Sequence, residues 1–113
     1  MSRELIIGST QVTIPVTRGG YDLMFEAGLA SDGNLAGNLC GLTGGRAARV
    51  LAAAHMILDD KRSAILFNLG WGLCPSEIEA QKKGLEALDK VLTITGRLMA
   101  ACVINPRSKI TVF

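Results

Sequence analysis

The side chains able to act as nucleophiles or acid–base groups are few: three cysteines, at positions 40, 74 and 102, and a lone histidine, His55. An odd number of widely spaced cysteines does not make a disulfide framework, and without a CxxC pair or a second histidine there is no zinc-type ligand set. Free thiols of this kind suit a reducing cytoplasm. Cys74 stands directly before Pro75 and Ser76, a sequence that opens a helix. A helix N-terminus stabilises thiolate, so Cys74 has an electrostatic reason to be reactive. Cys102 ends the apolar run RLMAACVI (97–104), which reads as a buried strand whose carboxyl end opens toward a crevice. Free cysteines are also common core residues, so both positions suit plain packing equally. Cys40 has no activating neighbour. His55 could serve as an acid or base, or could be a core residue between Leu51 and Leu58, one turn away on either side.

Two other stretches could hold a ligand. Gly41-Leu-Thr-Gly-Gly-Arg46 leads into a helix, so the backbone N–H groups of Gly44 and Gly45, with the Arg46 guanidinium, could cradle phosphate, sulfate or carboxylate. It is neither a Walker A sequence nor GxGxxG, and an ordinary loop-to-helix junction would look the same. ILFNLGWGLC (65–74) holds the only tryptophan, Trp71, bracketed by Gly70 and Gly72. That side chain either plugs the end of a core or roofs a site.

These groups must be positioned by the following elements. RELII (3–7) and QVTIPV (11–16) read as a β-hairpin around Gly8-Ser9-Thr10, with Pro15 marking a strand end or sheet edge. Residues 19–45 carry eight of the 13 glycines. YDLMFEAGLA within them suits a helical turn or two, and the rest is a loop with apolar residues that packs on something. RAARVLAAAHMILDD (46–60) reads as a helix that stops near Asp59-Asp60. SAILFNL (63–69) reads as a doubly buried strand. A second helix follows over 76–95, ended by Gly96 as a left-handed cap, then the 97–104 strand and a short KITVF strand. This order predicts one α/β domain over 1–113, a three-layer sandwich with a mainly parallel central sheet plus the N-terminal hairpin, and a Gly-rich insertion at 19–45. Ligands in such folds sit beyond the carboxyl ends of the strands. Cys102, Cys74, Trp71, Ser76, Gly44, Gly45 and Arg46 are thereby expected around one crevice.

Composition narrows the function. The 113 residues are 49% hydrophobic and 19% charged, which excludes a disordered chain, and 4% aromatic content demands an aliphatic core. A net charge of +2, with no basic stretch interleaved with aromatics, gives no case for nucleic acid. No apolar run reaches the roughly 18 residues of a membrane span, and the N-terminus lacks the apolar core of a signal peptide. A short chain with apolar loops argues for protein partners or self-association, a homo-oligomer, with no cofactor implied.

RVLAAAHMILDDKRSAILFNLGWGL resembles the first helix and second strand of DsrE-like proteins. GLEALDKVLTITGRLMAAC resembles that family's next helix, Gly turn and cysteine-ended strand, so the likeness covers about residues 49–102. It implies a small oligomeric α/β protein that relays persulfide sulfur, with Cys102 as the carrier thiol and Trp71, Cys74 and the 41–46 loop lining its crevice. A second resemblance is to the STAS domain of anti-sigma-factor antagonists, through RELIIGSTQVTIPV and GRLMAACVINPRSKITVF. It implies a regulatory interaction domain with Ser76 as the modified serine. A non-catalytic oligomeric assembly protein is the third reading.

Overall fold

A computed structural model describes residues 2–15, 18–31, 36–69, 71 and 74–113. Strands β1 (Ser2–Ile7) and β2 (Thr10–Pro15) form the expected antiparallel hairpin. Ile7 pairs with Thr10, so the loop is only Gly8-Ser9, and Gly8 takes the positive φ of 60° that such a tight turn favours. β3 (Ile110–Val112) adds to the other side of β1, giving the antiparallel order β2-β1-β3. β2 is therefore an edge strand, and it ends at Pro15, which has no N–H to give a ladder. Leu5, Ile7, Ile14 and Ile110 are buried while Glu4, Gln11, Thr13 and Thr111 are exposed, the alternation of a sheet with one wet face.

The rest is helical. After α1 (Arg18–Glu26) and a short 3₁₀ turn (Gly37–Leu39), two long helices, α2 (Gly44–Asn68) and α3 (Pro75–Ile104), make an antiparallel hairpin. The mainly parallel three-layer sandwich is thus corrected to a small antiparallel sheet beside a helical hairpin. Both expected central strands are helix. Residues 63–68 continue α2, which stops at the extended Leu69, because nothing between Arg46 and Asn68 is Gly or Pro and Asp59 and Asp60 lie on the solvent side. Residues 97–104 continue α3, where Leu98, Ala101 and Cys102 are buried at the three-and-four spacing of a helix. Gly96 does not cap anything; it lies inside α3. The expected turn at Gly70 and Gly72 lies outside the described residues.

The inward faces of the hairpin are Ala47, Leu51, Ala54 and Leu58 on α2 and Leu88, Val91, Ile94, Leu98 and Ala101 on α3. Burying one such leucine fully contributes about 1.5–3 kcal/mol. Thr95, buried among them, gives its hydroxyl proton to the Leu92 carbonyl at 2.9 Å and therefore accepts from His55 Nδ1 at 3.1 Å. His55 is a cross-helix tie. Two ion pairs, Lys61 with Glu26 of α1 and Arg62 Nε with Asp89 Oδ1 at 2.6 Å, brace the hairpin at its surface. The Gly-rich segment closes this core: Leu29, Ala30, Ala36 and Leu39 are buried. Among the described residues, none beyond Leu58 in α2 or before Leu88 in α3 is fully buried, so the far end of the hairpin projects from the body, consistent with extents of 49 × 25 × 20 Å.

Candidate interaction surface

The seven residues expected around one crevice fall into two groups at opposite ends of the hairpin. Cys74 caps the start of α3 and Cys102 lies in its last turn, about 42 Å apart at about 1.5 Å per residue. Trp71, Cys74 and Ser76 are at the far tip; Cys102, Gly44, Gly45 and Arg46 meet at the base.

At the base the helices approach backbone to backbone. A Cβ on Gly44 would stand 2.7 Å from the Cys102 carbonyl oxygen and closer still to that of Asn105. This pairs the positive start of α2 with the negative end of α3. The amides expected to bind an anion are taken by the chain itself. Gly44 N–H donates to Ser108 O and Gly45 N–H to Pro106 O, each at 2.9 Å; Arg46 N–H donates to Thr43 Oγ1 and Ala47 N–H to Thr43 O. Cys102 is fully buried, and burial pushes its thiol pKa up. A thiol so placed is mostly protonated and shielded from solvent.

At the tip the thiol is of the other kind. Cys74 is exposed at the N-cap of α3, with Pro75 in the first turn as the sequence suggests. Its Sγ lies 3.0 Å from Ser76 Oγ. That hydrogen bond, with the backbone N–H of Glu77, holds its pKa below the ordinary thiol value. Trp71 neither plugs the core nor roofs Cys102: it is 77% exposed. Among the described residues there is no cluster of three or more His, Cys, Asp or Glu side chains able to hold a metal, and no helix long and apolar enough to cross a membrane.

The feature that sequence reading passed over is the outside of α2. Arg46, Arg49, Ala53, Met56, Asp60, Ser63 and Phe67 recur at alternating steps of three and four, and all are exposed. Ile57 and Ala64 flank the row. Met56 is 67% exposed, Ile57 49% and Phe67 80%. α2 therefore carries apolar residues on two sides, one against α3 and one facing out. A helix apolar on both sides is normally covered on both. Arg46, Arg49 and Asp60 form no ion pair among the described residues. The signal was present in the sequence, as an Ala-rich helix whose apolar residues outnumber those one buried side can use. Comparison with family models, with curated proteins and with solved structures gives no match to this chain.

Proposed function

We propose that this protein is a non-catalytic interaction module that presents the outer face of α2 and the hairpin tip to a protein partner. The observation that carries this reading is the exposed apolar row Ala53, Met56, Ile57, Ala64 and Phe67, continued by Trp71 at the tip. Covering these side chains removes apolar surface from water, which contributes about 25 cal/mol per Å² before the costs of association. The helical hairpin supplies a rigid platform for it.

A persulfide relay, implied by the DsrE-like resemblance, would use Cys102, and nothing around that thiol favours the step. The thiolate would have to attack a donor's sulfane sulfur, release the donor thiolate and keep the new S–S bond. Burial and a raised pKa oppose both access and ionisation. A STAS-like regulator finds support only in the exposed position of Ser76 at a helix start, where added phosphate is electrostatically favoured.

The interaction reading is tested with a photo-crosslinking amino acid at position 57, and in a separate variant at the exposed position 82 of α3 as control. In cells expressing the protein, position 57 yields a discrete protein adduct and position 82 does not. Absence of any adduct at 57 refutes the reading.

A further inference from the structure

We infer that the partner on the outer face of α2 is a second copy of this chain, packed antiparallel across a twofold axis between residues 54 and 55 with Arg49 opposite the second copy's Asp60. This rests on the interaction reading above and names its partner.

The row from Arg46 to Phe67 spans about 32 Å of helix, and its three-four spacing is that of a coiled-coil seam. Written as a heptad, Arg46, Ala53, Asp60 and Phe67 take the first core position and Arg49, Met56 and Ser63 the second. An antiparallel pair sets first positions against second ones. That leaves a small set of registers one heptad apart. In one of them Ala53 faces Met56, Arg49 faces Asp60 and Arg46 faces Ser63, with each contact repeated by symmetry. The small Ala53 leaves room for the long Met56, and Ile57 and Ala64 border the seam. Each guanidinium at position 49 gains a carboxylate.

The other arrangements fail on chemistry. A shift of one heptad one way puts Met56 against Asp60 and Phe67 against Arg49, burying charge on apolar groups without a partner. The opposite shift puts Arg46 on Met56 and Arg49 on Ala53. A parallel pair in register would set Arg46 against Arg46, Arg49 against Arg49 and Asp60 against Asp60, three like-charge contacts. A shift of two heptads toward the tip sets Met56 on Phe67, but it overlaps only residues 56–67 and leaves Arg49 without a carboxylate. The chosen register is the one that pairs Arg49 with Asp60 and joins the row from Arg46 to Ser63, with Phe67 lying past the start of the second copy's helix, as an isologous twofold interface allows. Every residue of the row is exposed in the single chain, so α1, α3 and the sheet leave the face open along its length.

The test is charge reversal read by sedimentation equilibrium on the full chain. The wild type forms a species of twice 11.9 kDa. Arg49→Asp and Asp60→Arg each set two like charges at each end of the seam and weaken the dimer by about tenfold or more. The double variant R49D/D60R restores both pairs, and so does an equimolar mixture of the two single variants; each returns to within about threefold of wild type. Circular dichroism and melting of the single variants confirm that they stay folded, since both sites are solvent-exposed. A wild type that stays at 11.9 kDa at all concentrations overturns the inference, as does a dimer indifferent to either reversal or not recovered by the mixture. An adduct at position 57 with a mass other than doubled sinks the self-pairing while leaving the interaction reading in place.

Discussion

Gly44→Ala tests the joint at the base of the hairpin. A methyl group there would stand 2.7 Å from Cys102 O and 2.9 Å from the Asn105 carbonyl carbon, with the Asn105 oxygen nearer still. All three are backbone atoms, so no side chain can rotate away. The start of α2 must move off the end of α3 by several tenths of an ångström or more. Overpacking of this kind costs about 1–3 kcal/mol. The same movement stretches the Gly44–Ser108 and Gly45–Pro106 hydrogen bonds, now 2.9 Å, at about 0.5–1.5 kcal/mol each. Alanine's better helix propensity offsets less than about 1 kcal/mol of this. The expected net loss is about 2–5 kcal/mol, a large share of the roughly 5–15 kcal/mol that holds a domain together. It corresponds to a Tm drop of about 8–20 °C by calorimetry or far-UV circular dichroism. Gly45→Ala is the control: its Cβ would meet only Pro106 O, at 3.4 Å, and the loss stays within about 0.5 kcal/mol. Equal melting of the two variants would refute the close-approach argument.

The outcome for the interior glycines of α3 has the opposite sign. A Cβ at Gly84 or Gly96 meets nothing within 4 Å, so Gly84→Ala and Gly96→Ala each stabilise by about 0.5–1 kcal/mol in urea unfolding. A loss at Gly96 would mean that it ends a helix there after all. The thiols separate by pH. Because the Cys74 pKa is lowered, its alkylation sets in at lower pH than that of a simple thiol, and Ser76→Ala moves the midpoint back up. Cys102, buried with a raised pKa, is labelled only as fast as the protein opens; labelling in the native state at the rate of Cys74 would contradict its burial.

What the sequence made legible is local. The hairpin, the end of β2 at Pro15, the Cys74-Pro75 helix start and the closing strand each rest on one or two residues with strong backbone preferences. The central sheet failed for a reason that bears on function. SAILFNL was expected to be buried on both faces because it is continuously apolar, yet Ala64, Leu66 and Phe67 are exposed on a helix. An apolar run reports that something covers it, and does not say whether the cover is the same chain. In RLMAACVI the helical spacing of Leu98, Ala101 and Cys102 was hidden by apolar residues on the exposed side, Val103 and Ile104. Because both runs are helix, the loops expected to gather at one sheet edge lie at opposite ends of α3. Cys102 and the 44–46 segment do meet, through a backbone contact that only the tertiary pairing of two long helices creates.

Met56 gives the most direct test of the central claim. With ¹³C-methyl methionine and a soluble paramagnetic agent, the buried Met24, 1% exposed, serves as the internal standard for a shielded methyl. At concentrations where the chain associates, the account predicts that the Met56 methyl is shielded like Met24, and that dilution or Arg49→Asp exposes it. A Met56 methyl broadened by the agent as a free surface side chain at every concentration would contradict it.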